Sequence, residues 1–235
     1  MSESALTSAY TAAAVRAAEA PLLAVGEPLM RRAATALADI AREETSAAGS
    51  VLVLAGAGDN GGDALFAAAS LADDGRSVEI VLTSDRVHRA ALAEALGAGA
   101  VLRDAGDVCR APEGYALILD GILGIGASAD PRLRGAARAV VEALRDADGT
   151  GRRVIAVDLP SGLHPDDGAA DDVVLRADVT VTFGAVKAGL VRGRGPELAC
   201  DVRLVDLGLG PALARARPAV TGPVPVARVS RAQRA

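Results

Sequence analysis

The chain has 235 residues, of which 51% are hydrophobic, and this is enough to bury the core of one large α/β domain. Its net charge of −5 argues against general binding of nucleic acids, because such proteins need a basic face to pair with phosphates. The sequence has no run of about 18 apolar residues and no signal-peptide pattern, so we expect a cytoplasmic protein without a membrane partner.

The predicted elements begin with two helices, at about 7–19 and 26–45, and the second has apolar side chains at helical spacing. Strands and helices then alternate along the chain. Strands are predicted at 51–55, 78–83, 100–102, 116–120, 153–157, 178–183 and 201–205. Helices are predicted at 62–73, 86–97, 134–147 and 211–216. This alternation is typical of an α/β fold.

The predicted strands are apolar throughout instead of alternating with polar residues, as in Ala116–Leu119 and Val154–Val157. Such runs are typical of parallel strands that are covered on both faces. We therefore predict an α/β fold, a Rossmann-like three-layer sandwich with a mostly parallel central sheet, preceded by two N-terminal helices. This domain is expected to span 1–208. The proline- and arginine-rich segment 209–235 is expected to be a C-terminal tail or a linker.

A glycine-rich loop, Gly56–Asp63, joins the first predicted strand to the helix that follows. The N-terminus of a helix favours an anion such as a phosphate, and glycines allow a ligand to approach the backbone. The loop also contains Asp59, Asn60 and Asp63, whose carboxylates would be avoided in a loop built only for phosphate. These residues predict a cationic or proton-transferring group nearby. For Asp63 a simpler interpretation is a carboxylate in the first turn of the helix.

Polar residues follow three of the predicted strands. Asp59 and Asn60 follow the first, Asp120 ends another, and Asp158 ends a third just before Ser161. Because the carboxyl ends of parallel strands lie at the same edge of a sheet, we expect these side chains to meet in one crevice. Each aspartate taken alone is also compatible with a simple turn.

Lys187 is the single lysine in a chain with 24 arginines. An ammonium group is a compact charge whose pKa can shift on burial, which a guanidinium group cannot do. Lys187 follows the predicted strand 178–183, and this position favours a role in the site over an incidental surface lysine. His164, near Ser161, either borders the site or belongs to a solvated loop.

Four motifs occur in order: Gly56–Asp63, Asp120–Gly126, Val157–Gly162 and Val179–Lys187. Together they resemble the NAD(P)H-hydrate epimerase family, also called the YjeF N-terminal domain, and the likeness spans about residues 8–208. The start of the chain is similar too, since Ala14–Glu19 and Gly26–Met30 look like the paired N-terminal helices of that family. The resemblance implies an isomerase that interconverts the R and S forms of hydrated NADH and NADPH, with a potassium ion as cofactor. It also implies a homodimer, and coupling or fusion to an ATP- or ADP-dependent NAD(P)H-hydrate dehydratase.

The resemblance also implies roles for individual residues. The substrate would contact Asp59, Asn60, Gly61, Gly62, Asp63, Gly124, Ile125, Gly126, Ala127, Ser128, Ala129, Asp130 and Asp158. Potassium would be held by Asn60, Asp120 and Ser161, whose oxygen atoms suit a hard cation. Asp158 and Lys187 would be catalytic. The family loop usually reads Asn-Asn-Gly-Gly-Asp-Gly, so Asp59 and Ala64 are departures, and Asp59 adds a negative charge where substrate phosphates are expected.

The expected reaction needs only simple acid–base chemistry. Protonation of the hydroxyl group beside the ring nitrogen releases water and leaves an iminium-like cation, to which water can return on the other face. One carboxyl group, for which we predict Asp158, suffices as acid and then as base. Two alternatives are a non-catalytic binding or dimerisation scaffold and an NAD-dependent oxidoreductase. The latter rests on Gly56-x-Gly58-x-x-Gly61, but the acid expected at the end of the second strand comes late, at Asp85.

Overall fold

The computed structural model describes residues 8–46, 48–126, 130–147, 151–221, 224 and 226–229. Its strands are β1 (Ala9–Tyr10), β2 (Val51–Ala55), β3 (Val78–Leu82), β4 (Val101–Leu102), β5 (Leu117–Gly121), β6 (Arg153–Val157), β7 (Val179–Phe183), β8 (Val186–Lys187), β9 (Asp201–Val205) and β10 (Ala227–Val229). Its α-helices are α1 (Ala12–Ala24), α2 (Leu29–Glu44), α3 (Asp59–Asp73), α4 (Arg89–Gly97), α5 (Ala105–Arg110), α6 (Gly135–Asp146), α7 (Gly195–Ala199) and α8 (Gly210–Leu213). A 3₁₀ turn covers Ala188–Val191.

The central sheet has eight described strands in the order β10-β9-β7-β6-β5-β2-β3-β4, and every neighbouring pair is parallel. From β2 the chain continues outward through β3 and β4, and from β5 it builds the other half of the sheet. The order therefore reverses between β2 and β5, and this reversal opens a crevice beyond the carboxyl ends of the strands. The predicted α/β sandwich with a mostly parallel sheet is confirmed.

The two faces of the sheet carry separate hydrophobic layers, and β2 contributes to both. Val51 and Val53 pack with the helices α2 and α3, whereas Leu52 and Leu54 pack with α6 on the other side. This is the two-residue period of a strand, in which alternate side chains point to opposite faces. Because both faces are covered, the strand needs apolar residues at every position.

The first helix lies later in the chain than predicted. Thr11 caps it by accepting a hydrogen bond from the backbone N–H of Ala14 at 3.2 Å, so α1 spans Ala12–Ala24 instead of 7–19. The residues just before the cap, Ala9–Tyr10, form a short parallel pair with β8. The start at 7 was wrong because these residues are extended in that pairing, which local periodicity cannot reveal.

The segment after 208, expected to be a tail or linker, contains ordered elements in its described part. Leu213 of α8 is buried against Val15 of the first helix, and β10 extends the sheet beside β9. Val224 is also buried. The helix predicted at 211–216 is present as the shorter α8, whereas β10 was not predicted from the sequence.

The helix α3 begins at Asp59 and not at 62, and its glycines explain the tight start. A Cβ atom on Gly61 would overlap the carbonyl oxygen of Gly56, and one on Gly56 would overlap the carbonyl oxygen of Ile122. The helix thus begins in direct contact with the end of β2. Asp63 consequently lies in the second turn, so its interpretation as a first-turn carboxylate is wrong.

Gly56 and Gly58 offer a matched test of this packing. Gly56→Ala is expected to destabilise the protein by about 1–3 kcal/mol, because the clash is with backbone and cannot be relieved by a side chain. Gly58→Ala places its Cβ in open space at a φ of −96°, so its Tm should stay at the wild-type value. Thermal unfolding of both variants checks this, and equal Tm values would contradict the role of Gly56.

Candidate active site

The crevice at the sheet reversal contains two adjoining cavities. The first, of ≈ 240 Å³, is lined by Glu19, Leu23, Leu29, Met30, Ala33, Asp59, Asn60, Asp63, Ile125, Asp158, Phe183, Lys187 and Leu207. The second, of ≈ 540 Å³, is lined by Ala57, Gly58, Asp59, Asn60, Arg86, Ile122, Leu123, Gly124, Ile125 and Gly126. The first therefore holds four acidic side chains and Lys187, whereas the second is lined mainly by two glycine-containing loops, with Asp59 and Arg86 as its ionisable side chains. None of the helices in the described ranges is both long and apolar enough to cross a bilayer.

Asp158 and Lys187 form a buried ion pair in the wall of the first cavity. Their side chains are 4% and 1% exposed. The Lys187 ammonium also donates to the carbonyl oxygen of Phe183 at 2.8 Å and to Thr182 Oγ1 at 3.2 Å. The single lysine is therefore fully engaged inside the fold. Asp158 has a φ of 69°, a conformation that is uncommon for residues other than glycine and that clusters at functional sites.

The two carboxylate oxygens of Asp158 have different surroundings. Oδ1 accepts from the Lys187 ammonium, from Thr182 Oγ1 at 3.2 Å and from the backbone N–H of Phe183 at 3.3 Å. None of these donors reaches Oδ2. The protein thus fixes the carboxylate through one oxygen, in a residue that lines the first cavity.

Two more carboxyl groups face this pair. Asp63 is 6% exposed, and its Oδ1 has no hydrogen-bond partner among the described residues. Burial raises the pKa of Asp63 well above its usual value, and the carboxylates of Asp158 and Asp59 raise it further. Burial also raises the pKa of Glu19, against the opposing effect of the Lys187 ammonium.

Glu19 has no predicted site role, yet it lines the first cavity. The helix α1 brings it there, because its buried face, Ala12, Val15 and Ala18, packs on the domain. A signal is present in the sequence, since Glu19 is the sole acidic residue of an alanine-rich helix. Like the single lysine of the chain, Glu19 is a charged residue whose type is rare in its surroundings.

Asp120, Ser161 and Asn60 meet beside the cavities, as expected from the strand ends. Asp120 is 1% exposed and accepts from the Ser161 hydroxyl at 2.6 Å and from its backbone N–H at 2.8 Å. The Asn60 amide donates to the carbonyl oxygens of Val157 at 2.6 Å and Leu123 at 3.1 Å. Burial raises the pKa of Asp120, and hydrogen bonds from Ser161 oppose this. A buried carboxylate is therefore surrounded by neutral groups.

Other predicted site residues are placed differently. Gly61 and Gly62 are buried in the first turn of α3, and Gly124 packs directly against the Asn60 amide. Asp130 is absent from the walls of both cavities and pairs with Arg132 and Arg134. Ala127, Ser128 and Ala129 lie outside the described residues.

His164 is likewise absent from both cavity walls. Its Nδ1 lies 2.8 Å from an oxygen of Asp167, three residues further along the same loop. The structure therefore ties this side chain to its own loop instead of the crevice.

Comparison with known proteins agrees with this arrangement. The sequence model of the family "YjeF-related protein N-terminus" matches residues 26–189. The chain belongs to this family. The match includes every polar site residue described above except Glu19. It covers the glycine-rich loop, the Asp120 motif and the Asp158–Lys187 pair.

Several relatives are similar over most of the chain. The NAD(P)H-hydrate epimerase of Microbacterium testaceum is 64% identical, over 97% of this chain and 91% of the relative. That of Clavibacter sepedonicus is 51% identical, over 94% and 96%. The bifunctional NAD(P)H-hydrate repair enzyme Nnr of Mycobacterium tuberculosis is 42% identical over 76% of this chain, which corresponds to 37% of that protein. The crystal structure of yeast YNL200c has the same fold, with a TM-score of 0.66 at 22% identity, covering 78% of this chain and 83% of that one.

Proposed function

We propose that this protein is an NAD(P)H-hydrate epimerase, an isomerase that interconverts the R and S forms of hydrated NADH and NADPH. Relatives at 64% and 51% identity carry that name over nearly their whole length. The observation that carries the proposal is the buried Asp158–Lys187 pair, which lies at the sheet reversal in the wall of the first cavity.

The two cavities suit the two ends of such a substrate. The first, ≈ 240 Å³ and acidic, would take the hydrated ring, and Asp158 would act there as the acid–base group. The second, with the N-terminus of α3 and the backbone of Gly124–Gly126, would take the dinucleotide phosphates. An iminium-like cation in the ring would be stabilised by the surrounding carboxylates. Lys187 would hold the orientation of Asp158 during the reaction.

The proposed activity is tested with purified R-NADHX, the R form of hydrated NADH, by following its conversion to the S form by chromatography or proton NMR. We expect equilibration of the two forms much faster than in a control without protein. No acceleration by the folded protein, with potassium present, would refute the proposal and favour a scaffold that binds another protein.

We also propose that a potassium ion binds at Asn60, Asp120 and Ser161. The donors present are carboxylate, hydroxyl, amide and main-chain oxygens, which suit a hard cation. Within the described ranges, no group of three His, Cys, Asp or Glu side chains could hold a metal, so a site for a transition metal finds no support there. A bound monovalent cation would supply the positive charge that the buried Asp120 lacks.

Potassium is expected to stabilise the folded protein, because a ligand that binds only the native state raises its stability. At equal ionic strength, Tm should be higher in potassium chloride than in a chloride of a large organic cation. Asp120→Asn should lose this difference, and Asp73→Asn, which removes an exposed carboxylate at the end of α3, should keep it. Equal Tm values of the wild type in both salts would contradict the site.

The partners are proposals of the same kind. Because the M. tuberculosis relative is named bifunctional and this chain corresponds to 37% of it, we propose that the protein supplies the S form to an ATP- or ADP-dependent dehydratase. We also propose a homodimer. Leu23 and Val25, which are 57% and 75% exposed at the end of α1, offer an apolar contact for it.

A further inference from the structure

Asp63 differs from the other polar groups in the wall of the first cavity. Its side chain is almost fully buried, and its Oδ1 has no hydrogen-bond partner among the described residues. Asp63 lines the same cavity as Asp158. We infer that Asp63 is a second catalytic residue, the general acid that protonates the departing hydroxyl, with Asp158 as the base on the opposite side. This inference rests on the proposed function. It assigns the acid and base roles, both given to Asp158 above, to two different carboxyl groups.

The charges around Asp63 favour its protonated form. Asp59 on the same helix, Glu19 on α1 and Asp158 after β6 are acidic, and the Lys187 ammonium, which acts in the opposite direction, is already paired with Asp158. The helix α2 contributes only apolar side chains to the cavity wall. A carboxyl group in this setting keeps its proton at a pH where an exposed aspartate has lost it, as the raised pKa indicates. It can therefore donate a proton at a pH where an exposed aspartate no longer can.

Asp158 is less suited to be the initial acid. Its Oδ1 already accepts three hydrogen bonds, one of them from the buried ammonium of Lys187. Protonating Asp158 in the resting enzyme would leave that ammonium buried without its counter-charge, which is costly. Its free Oδ2 can still accept a proton briefly while Oδ1 stays bonded to Lys187.

The positions of the two carboxyl groups in the fold fit an inversion. Asp63 lies on the helix that follows β2, and Asp158 follows β6, with β5 between these strands. Both side chains line the first cavity, so a ring bound there would contact both carboxyl groups. Inversion of a single carbon requires an acid at one face of the ring and a base at the other, and we assign these roles to Asp63 and Asp158.

The proposed step balances as follows. The Asp63 proton passes to the hydroxyl oxygen, the carbon–oxygen bond breaks with its electron pair, and water leaves. The lone pair of the ring nitrogen forms a carbon–nitrogen double bond, which gives the iminium cation opposite the new Asp63 carboxylate. Water then adds to the other face, the electron pair returns to nitrogen, and the extra proton passes to Asp158 Oδ2. Loss of that proton to solvent and uptake of one by Asp63 restore the enzyme, and the reverse reaction runs through the same steps.

The kinetic test compares Asp63→Asn with Asp73→Asn, which changes an exposed aspartate at the other end of the same helix, outside both cavity walls. Wild-type kcat for R-NADHX should fall on the alkaline side as Asp63 loses its proton. We expect Asp63→Asn to lower kcat about 100-fold or more with little change in KM, and to abolish the alkaline fall in the residual rate. Asp73→Asn should keep both the rate and that fall. An Asp63→Asn enzyme with the wild-type rate and pH profile would overturn the inference alone, whereas an inactive wild type would overturn it together with the proposed function.

A second measurement reports the proton on Asp63 without any turnover. A carboxyl group whose pKa is higher in the folded than in the unfolded state contributes stability at low pH, and this is lost as the pH rises from about 4 through the folded pKa. Asparagine does not titrate. The Tm of Asp63→Asn minus that of the wild type should therefore increase with pH. A difference that stays constant with pH would overturn the inference.

Discussion

Asp158→Asn is expected to lower the rate of epimerisation by about 10³-fold while the protein still folds and binds the dinucleotide. Asparagine has the same shape and tolerates the left-handed backbone conformation of this residue, where φ is 69°. Its amide oxygen can accept from Lys187, but the group can neither give nor take a proton at neutral pH. The rate is measured by separating the R and S forms, and binding is measured by calorimetry with NADPH.

The matched control for this variant is Asp171→Asn. Asp171 is also a buried aspartate, but it lies outside both cavity walls, where it accepts from the backbone N–H of Leu133 at 2.7 Å and pairs with Arg138. Asp171→Asn should lower stability and leave the epimerisation rate unchanged. A fully active Asp158→Asn enzyme would refute the assignment of Asp158 to the reaction, whatever the behaviour of the control.

The sheet was predictable because each strand can be recognised from its own short stretch of sequence. A strand covered on both faces must be apolar at every position, as Val51–Ala55 is, and this property can be read without knowledge of its neighbours. The same holds for the crevice. Once the strands are parallel, the residues that follow them share one edge, and this brought Asn60, Asp120 and Ser161 together.

The remaining features depend on contacts between distant parts of the chain. The short strand Ala9–Tyr10 exists because it pairs with β8, and this pairing delays the start of α1. Glu19 reaches the cavity only because that helix packs across the site. That Asp63 Oδ1 has no hydrogen-bond partner within the described part of the chain is likewise a property of the folded environment. No period or motif in the sequence encodes these three facts, although isolated charges in apolar segments indicate where to look.

Lys187→Met is expected to cost about 3–5 kcal/mol of unfolding free energy, because it leaves the Asp158 carboxylate buried without its counter-charge. Methionine keeps most of the volume of the side chain, so the loss reports the charge and not a large cavity. The double variant Asp158→Asn with Lys187→Met should be more stable than Lys187→Met alone, since the unpaired charge is gone. Urea denaturation of the wild type, both single variants and the double variant forms a cycle that isolates the coupling of the pair.

Lys187→Arg extends this test to the choice of lysine. The Lys187 ammonium is buried, and it donates hydrogen bonds to Asp158, to Thr182 and to the carbonyl oxygen of Phe183. A guanidinium is planar, larger and has five N–H donors, so several of them would be buried without acceptors. We therefore expect Lys187→Arg to be destabilised and nearly inactive although its charge is kept. Two results would contradict this explanation: wild-type stability of Lys187→Arg, or a coupling energy of zero in the cycle. Either would show that the ion pair with Asp158 does not explain why this position is lysine in a chain whose other Lys or Arg residues are all arginine.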